Sequence, residues 1–411
     1  MEVYIIINRE LYIKKIRPFI DKNIVKVLTG IRRCGKSTLL EFVKKELIIR
    51  GVSLNQIISI NFESGRYSSI NDEETLYSYV KNQIGEEDKK IYLFFDEIQE
   101  VEGWEKAINS FMVDFNVDIY ITGSNAKMLS GELATYLGGR YIEIKIYPFS
   151  FKEIIEIYKS KNIEISKESA FRNYLIFGGM PFIFNFDLNL DKEACFQYLN
   201  DIYDSIILKD IVQRNKIRDV ELLKRVILYV MANIGNTFSA QNITKFLKNE
   251  KRSVSQETIY NYIDYFKTAC LIHLVQREDV VGKKVLNFQE KMYLTDHGMR
   301  EAIYGNNQRD INQILENIIY MELLRRDYKI NVGKIGTKEV DFVAKKGSEK
   351  IYVQVSYLLA SQETIEREFS VLEKIPDNYP KYVVTMDEFN MSRNGIKHMN
   401  IRDFLLKDEY N

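Results

Sequence analysis

Residues 30–37 combine two glycines, a lysine and a serine at a spacing suited to binding phosphate. The run Gly-Ile-Arg-Arg-Cys-Gly-Lys-Ser fits the pattern G-x-x-x-x-G-K-[ST] at every position. The amides of such a loop point inward at an anion, and the following helix adds its positive end. We expect Lys36 to bridge the β- and γ-phosphates and Ser37 to hold Mg²⁺. The predicted nucleotide-binding residues are Gly30, Ile31, Arg32, Arg33, Cys34, Gly35, Lys36, Ser37 and Thr38.

Two adjacent carboxylates follow the apolar run 91–95. We expect Asp96 to hold the magnesium ion through water, and Glu97 to take a proton from the attacking water as general base. A kinase or a GTPase does not need a second acid at that place, so the pair favours ATP hydrolysis. A turn at a strand end with two solvated acids is the alternative for this pair.

Further polar residues are candidates for contacts to the γ-phosphate. Ser124 and Asn125 follow the apolar run 118–122, where a side chain can sense that phosphate and orient the water. A helix N-cap is the alternative for either residue. Arg140 precedes the run 141–146, and an arginine there can reach the γ-phosphate of a neighbouring subunit. The alternative for Arg140 is an ordinary surface arginine.

Alternating strand and helix signals in the first 150 residues must position these groups. Continuous apolar runs separated by helices indicate a parallel sheet that is covered on both faces. The predicted strands are 24–29, 57–62, 91–95, 118–122 and 141–146.

The composition excludes several classes of protein. The chain has 411 residues with 58 Lys+Arg and 58 Asp+Glu, and this neutrality argues against a protein that coats nucleic acid or acidic membrane. No apolar run approaches the roughly 18–20 residues that cross a bilayer. The three cysteines Cys34, Cys195 and Cys270 are too far apart for a disulfide framework or a zinc site. We therefore expect a cytoplasmic protein that does not contact membrane.

The order of these motifs resembles that of AAA-type P-loop ATPases. The stretches TGIRRCGKSTLL, LFFDEIQEVEGWEKA and MYLTDHGMR look like a prokaryotic family of AAA-like ATP-binding proteins with an uncharacterised C-terminal domain. The resemblance covers nearly the whole chain. It implies that the strand before Asp96 is not adjacent to the strand before Gly30, that ATP binding changes the conformation, and that the chain assembles into rings or dimers. From a Gly-Gly-x-Pro turn near the adenine in related ATPases, it also implies a base contact for Pro181.

We therefore predict an α/β multidomain chain. A P-loop NTPase core with a parallel sheet occupies residues 1–149, and a helical lid follows at 150–218. A winged-helix domain is predicted at 219–306. An α/β restriction-endonuclease-like domain is predicted at 307–411.

The predicted winged-helix domain makes DNA a candidate partner. Three helical runs and a predicted wing occupy residues 221–288, and the last helix of such a domain can enter the DNA major groove. The basic surplus there is small, and a protein-contact or structural module is the alternative that the charges favour. The residues available for phosphate contacts are Lys251, Arg252, Lys283 and Lys284.

The last domain resembles the restriction-endonuclease-like core, with Glu316 on a helix and Asp341 on a strand. Active members of that group carry Glu-x-Lys on the next strand, where this chain has Gln354 and Ser356. The metal site thus loses a charge and the lysine, so we expect a nuclease-like fold without nuclease activity. The alternative to a metal site is that Glu316 and Asp341 merely lie on a solvated edge of the domain.

The leading hypothesis is a Mg²⁺-dependent ATPase whose client is unknown. A slow nucleotide switch or scaffold is the first rival, and an ATP-dependent DNA-binding or DNA-processing factor is the second.

Overall fold

The computed structural model describes residues 7–84, 89–124, 136–280, 282 and 284–410. They fall into two units. The N-terminal unit extends to Tyr147 and includes Thr268–Cys270, and the C-terminal unit takes Pro148–Lys267 and the chain from Leu271 onward.

Helices and strands alternate in the N-terminal unit, as the sequence predicts. Its strands are β1 (Val25–Thr29), β2 (Ile57–Asn61), β3 (Ile91–Asp96), β4 (Val117–Gly123) and β5 (Tyr141–Lys145). Its helices are α1 (Glu10–Ile16), α2 (Lys36–Ile49), α3 (Glu73–Ile84) and α4 (Trp104–Asp114). Short 3-10 helices occupy Arg17–Phe19, Leu54–Gln56, Gly65–Tyr67 and Ile98–Glu100.

The five strands form one parallel sheet in the order β2-β3-β4-β1-β5. Every residue of β1, β3 and β4 is buried, whereas the edge strands β2 and β5 are partly exposed. This explains why the central strands appear in the sequence as continuous apolar runs. Strand β4 separates β3 from β1, which confirms the predicted strand arrangement.

The C-terminal unit begins with helices and ends in a mixed α/β layer. Its helices are α5 (Phe151–Ser160), α6 (Lys167–Phe177), α7 (Lys192–Ser205), α8 (Val220–Ala232), α9 (Ala240–Asn249), α10 (Gln256–Thr268), α11 (His297–Ile303), α12 (Ile311–Arg325), α13 (Gln362–Glu373) and α14 (Ile401–Leu406). A π-helix at Ile206–Gln213 continues α7, and a 3-10 helix occupies Pro181–Asn185. The strands are β6 (Ile272–Asp279), β7 (Lys284–Leu294), β8 (Lys329–Ile335), β9 (Lys338–Lys346), β10 (Glu349–Val355), β11 (Lys381–Thr385) and β12 (Ile396–Asn400).

These seven strands form a second sheet in the order β12-β11-β10-β9-β8-β6-β7. The predicted wing is the antiparallel pair β6 and β7, and it follows the three helices α8, α9 and α10. The sheet does not stop at this hairpin, because β6 also pairs in parallel with β8. The pairing joins strands that lie on both sides of the predicted boundary at 306/307. The four-domain division, including its winged-helix and nuclease-like names, stays a prediction.

The Gly178-Gly179 turn of the C-terminal unit packs against the start of α11. The amide of Gly179 donates to Asp296 Oδ2 at 2.8 Å, and its carbonyl accepts from the Phe149 amide at 2.7 Å. A Cβ on Gly179 would lie 2.3 Å from the Phe149 carbonyl oxygen, so only glycine fits. Two sequence stretches that are far apart in the chain thus meet in one contact.

None of the helices in the described ranges is long and apolar enough to cross a membrane.

Candidate nucleotide site

The loop at residues 30–37 connects β1 to α2, as its sequence pattern requires. A Cβ on Gly30 would come within 2.2 Å of the Ile146 carbonyl oxygen, so glycine is needed for this close approach. Gly35 has a φ of 100° and caps α2, which begins at Lys36. The free amides of the first helical turn therefore lie directly behind the loop, which is the usual arrangement of an anion site.

Lys36 is buried and folded back onto the loop. Its Nζ donates to the carbonyl oxygens of Gly30 at 3.1 Å and Ile31 at 3.3 Å. The same atom lies 3.8 Å from Glu97 Oε1. A phosphate held by the loop amides would offer this ammonium a full negative charge in place of two carbonyl dipoles.

The remaining loop residues have different surroundings. Arg32 pairs with Glu63 at 3.0 Å, and Arg33 is exposed with a φ of 66°. Cys34 is buried, its thiol donates to the Ile146 carbonyl at 3.3 Å, and burial raises its pKa. Ser37 and Thr38 are exposed at the start of α2. Ile31 is buried, and its carbonyl accepts from the Cys34 amide at 3.3 Å, which closes the loop.

Arg9, which precedes α1 and lies outside the loop, supports the loop backbone. The guanidinium donates to the Cys34 carbonyl at 2.9 Å and to the Tyr147 carbonyl at 2.7 Å. The side chain is buried and lies 4.5 Å from the centroid of the Tyr12 ring. Arg9 was not among the predicted site residues, because nothing in the spacing of the motif points to a residue so far upstream.

Asp96 ends β3 and is held by its neighbours on the sheet. Asn61 at the end of β2 donates to Asp96 Oδ2 at 3.1 Å, and the Thr122 hydroxyl donates to Oδ1. Burial raises the pKa of the Asp96 carboxyl, while hydrogen bonds from Thr122 and Ser37 oppose that shift. Neighbouring strands of a parallel sheet end at one edge, and this is the signal that could have identified Asn61 and Thr122.

The donor set at this edge fits magnesium. Mg²⁺ takes hard oxygen ligands and usually keeps several waters besides one or two protein groups. The Ser37 hydroxyl and the Asp96 carboxylate supply such oxygens, and Ser37 opposes the rise that burial causes in the pKa of the Asp96 carboxyl. Within the described ranges, no group of three or more acidic, histidine or cysteine side chains forms a metal cage.

Glu97 has an unusual backbone conformation that several groups support. Its φ of 53° lies in the left-handed region, where a non-glycine residue is uncommon. The Glu97 amide donates to Thr122 Oγ1 at 3.0 Å, and the side-chain amide of Gln99 donates to Glu97 Oε2. Backbone strain of this kind is found at functional sites when the surroundings enforce it. The carboxylate is thereby placed beside Lys36.

Thr122 lies near the end of β4 and was not among the predicted site residues. Its hydroxyl links Asp96 to the Glu97 amide, so it orders both acids. Ser124 is buried one residue after β4 ends. Asn125 lies outside the described residues. The γ-phosphate roles of Ser124 and Asn125 stay predictions.

Arg140 lies at the opposite end of β1 from the loop. Its carbonyl accepts from the Val25 amide at 3.0 Å, and Tyr141 is level with Val25 in the sheet. The four residue steps from Val25 to Thr29 span about 13 Å of strand. The Arg140 guanidinium donates to Asn109 Oδ1 at 2.7 Å on α4. Arg140 therefore cannot act on a nucleotide in its own loop, and a role in hydrolysis would have to be in a partner subunit.

Pro181 begins a 3-10 helix in the C-terminal unit. Its contact with the adenine stays a prediction, as does the winged-helix interface. Arg252 of that interface is paired with Glu221 at 2.7 Å and lies 3.7 Å from Asp219. These acids reduce the positive charge available to DNA phosphates.

The predicted pair in the nuclease-like region does come together. Lys291 of β7 lies 3.5 Å from Glu316 Oε2 and 3.9 Å from Asp341 Oδ1, and it also pairs with Glu339. Burial raises the pKa values of the Glu316 and Asp341 carboxyls. Gln354 donates to Glu368 at 2.8 Å and accepts from the Asp341 amide. Lys291 was not among the predicted residues, because it reaches the cluster through the pairing of β6 with β8. Loss of nuclease activity stays a prediction.

The sheet order, the loop and the acid pair together define the class: the N-terminal unit has an AAA-type P-loop ATPase fold. The family model for an AAA domain matches residues 22–155, and a domain of unknown function, DUF8612, matches residues 168–310. The Walker-type ATPase paby2304 of Pyrococcus abyssi has the same fold, with 14% identity and a TM-score of 0.52. That similarity covers 72% of this chain and 95% of the other.

The chain belongs to a family of AAA-domain proteins that includes an uncharacterized protein of Haemophilus influenzae. The two are 38% identical over 405 residues, which covers 98% of this chain and 99% of the relative. A second relative, the uncharacterized protein MJ1544 of Methanocaldococcus jannaschii, is 33% identical over 386 residues. This match covers 90% of the chain and 81% of the relative.

Proposed function

We propose that the protein is a cytoplasmic Mg²⁺-dependent ATPase that uses ATP binding and hydrolysis to change its conformation and act on an unidentified client. One observation carries the proposal: Lys36 Nζ lies 3.8 Å from Glu97 Oε1, so the lysine of the loop and the acid that follows Asp96 lie side by side. The groups needed for phosphate binding, metal binding and water activation thus converge at one loop.

Each group has a role in the proposed reaction. Lys36 and the loop amides bind the β- and γ-phosphates. Ser37 and Asp96 would hold Mg²⁺, which neutralises charge on the phosphate oxygens. Glu97 accepts a proton from water as the water oxygen attacks the γ-phosphorus, and the bond from that phosphorus to the leaving ADP breaks. Phosphate and ADP are the products.

The acid at position 97 separates this proposal from a slow nucleotide switch. A switch that only holds ADP has no use for a base beside the γ-phosphate. Thr122 and Gln99 hold Glu97 in a strained conformation, which favours a catalytic role for its carboxylate.

Lys36→Ala and Glu97→Gln test the two halves of the proposal. We expect Lys36→Ala to lose binding of a fluorescent ATP analogue. Glu97→Gln should bind it normally and turn over at least ~10²-fold more slowly. Glu100→Gln is the matched control, because Glu100 is exposed three residues further on. Normal hydrolysis by the Glu97→Gln protein would remove Glu97 from the mechanism, and single-turnover hydrolysis no faster in wild type than in this variant would favour the switch.

DNA binding through the predicted winged helix needs a separate measurement. Binding curves for a DNA duplex at two salt concentrations test it, since phosphate contacts weaken steeply with salt. Flat or absent binding would reject DNA as a partner. ATP turnover with and without the same duplex shows whether DNA is the client.

A further inference from the structure

Three carboxylates of the C-terminal unit contact one buried ammonium group. Lys291 of β7 is 5% exposed, and its Nζ lies 3.5 Å from Glu316 Oε2 and 3.9 Å from Asp341 Oδ1. The same atom forms an ion pair with Glu339 Oε1. Glu316 belongs to α12, whereas Glu339 and Asp341 belong to β9. These three acids, the acid cluster, therefore share the charge of one lysine.

Solvent can reach the acid cluster. Two cavities of about 340 and 330 Å³ are both lined by Glu316, Glu339 and Asp341, and Lys291 lines the second. Each cavity has room for several waters, whose share of liquid volume is about 30 Å³. Access is therefore no barrier to a hydrated metal ion, and the donors and charges of the cluster decide whether one binds.

The nuclease-like resemblance implies a divalent metal ion between Glu316 and Asp341, and the donor set does not fit it. Over the described ranges, no group of acidic, histidine or cysteine side chains is arranged to hold a metal ion. Each acid of the cluster already accepts a hydrogen bond from the fold. The donors are the Tyr293 hydroxyl to Glu316 at 3.2 Å, the Arg277 guanidinium to Glu339 at 2.6 Å and the Val355 amide to Asp341 at 2.8 Å. A dication that approached the remaining oxygens would meet the ammonium.

We propose that Lys291 is the permanent cation of the acid cluster and takes the place of a divalent metal ion there. Buried carboxylates need a counterion, and a lysine attached to β7 supplies one without a binding equilibrium. A dication would have to displace this ammonium or bind beside it against like-charge repulsion. The C-terminal unit then keeps its fold without a divalent metal ion, and this inference does not depend on ATP hydrolysis at the nucleotide site.

The competing explanation gives Lys291 a chemical role. Lys291 would replace the lysine that active nuclease-like domains carry at the position of Ser356, and it would align water beside a metal ion held by Glu316 and Asp341. A lysine in that role leaves both acids to the metal. Lys291 instead pairs with both of them and with Glu339, so the ammonium takes the place between the carboxylates.

Mn²⁺ binding to the full-length protein without nucleotide separates the two explanations. Mn²⁺ suits carboxylate oxygens, and the electron paramagnetic resonance signal of the free ion shows how much is bound. We expect wild type and Asp341→Asn to bind equal amounts, because the acid cluster holds none. The substitution leaves the nucleotide loop unchanged, so any Mn²⁺ there is the same in both proteins. An additional Mn²⁺ in wild type would overturn the proposal.

Lys291→Met tests whether the ammonium fills a cation position. Loss of the counterion should lower the melting temperature of the nucleotide-free protein by roughly 6–20 °C. Mn²⁺ at about 100 times its Kd should then restore ~5–11 °C, because a dication can take the place of the ammonium after small movements of the three acids. The melting temperature of wild type should not respond to Mn²⁺.

Lys345→Met is the matched control. Lys345 pairs with the buried Glu278 of the same sheet at 2.7 Å, so its removal uncovers one carboxylate rather than three. Mn²⁺ should not raise the melting temperature of this variant. An equal gain in Lys345→Met, a response of wild type to Mn²⁺, or no response of Lys291→Met would each overturn the proposal. If Lys291→Met does not fold, the comparison of wild type with Asp341→Asn decides the question.

Discussion

Arg9 is hydrogen-bonded to the Cys34 carbonyl, so a residue before the first helix fixes the backbone of the phosphate-binding loop. The bond is 2.9 Å long, and the second arm of the guanidinium holds the Tyr147 carbonyl at 2.7 Å. Tyr147 is also fixed through its amide, which donates to the Tyr12 hydroxyl at 3.1 Å. Arg9 thus joins the loop to the chain segment just after β5.

We predict that Arg9→Ala weakens ATP binding about tenfold, because a hydrogen bond from a charged donor contributes about 1.5–3 kcal/mol and this one fixes the loop. Arg9→Lys should recover little, since an ammonium lacks the fork that spans two carbonyls. Titration with a fluorescent ATP analogue measures the effect. Arg17→Ala is the control, because Arg17 forms partly exposed ion pairs with Glu10 and Glu46. Equal affinity in Arg9→Ala and wild type would contradict the bracing role.

Arg140 is predicted to act on the nucleotide of a partner subunit. Arg140→Ala should lower turnover without weakening ATP binding, because the residue lies at the far end of β1 from its own loop. Mixing Arg140→Ala with Lys36→Ala protein should restore part of the activity. Each Arg140→Ala loop can then meet an intact arginine from the other variant. No recovery at any mixing ratio would argue against an assembly in which Arg140 completes the site.

Asp118 and Lys26 form a fully buried ion pair near the amino ends of the central strands β4 and β1. Asp118 Oδ2 also accepts from the Tyr120 hydroxyl at 2.8 Å and the Asp21 amide at 3.0 Å. Asp118→Asn leaves the Lys26 charge buried without its counterion, which should cost about 3–5 kcal/mol of unfolding free energy. Urea unfolding measures it. Asp114→Asn, at an exposed aspartate bonded to Tyr77, should change stability little, and an equal loss in both variants would show that the burial of the pair is unimportant.

His297 should make the C-terminal unit less stable in mild acid. Burial lowers the pKa of His297, although the neighbouring Asp296 opposes the shift. Below pH ~6.5 the imidazole of His297 takes up a proton in the unfolded chain but not in the folded chain. The free energy of unfolding is therefore unaffected above that pH and decreases as the pH falls from ~6.5 toward the lowered pKa. Its Nε2 contacts the Tyr174 carbonyl at 2.6 Å, a bond that the amide of His297→Gln can replace. Melting temperatures between pH 7.5 and 5.5 should fall less in His297→Gln, and parallel curves would contradict this.

Local patterns in the sequence were enough to predict the loop, the acid pair and all five strands of the N-terminal sheet. Each depends on residues that are close in sequence, or on burial of a whole strand. The separation of β3 from β1 came from the family resemblance instead. The hydrophobic pattern of a strand does not indicate which other strands lie next to it in the sheet.

Local patterns did not single out the supporting residues, because these residues come from other elements. Thr122 and Asn61 reach Asp96 only because β4 and β2 flank β3. Arg9 reaches the loop across the fold. Lys291 enters the acidic cluster through strand pairing between β6 and β8, which spans the predicted domain boundary. In each case the contact depends on which elements are neighbours in the fold, and this cannot be read from the residue types alone.

The parallel pairing of β6 with β8 also has a consequence for synthesis on the ribosome. Arg277 of β6 is level with Val332 of β8, and β8 is translated after β6 and β7. The hairpin of β6 and β7 therefore has no neighbouring strand on its β6 side until β8 has been made. At ~5–20 residues per second, the chain needs roughly 3–11 s to extend from the end of β6 to the end of β8. During that interval the backbone edge of β6 is open to other chains. The nascent chain therefore has an open strand edge at a stage when its N-terminal unit has already been translated in full.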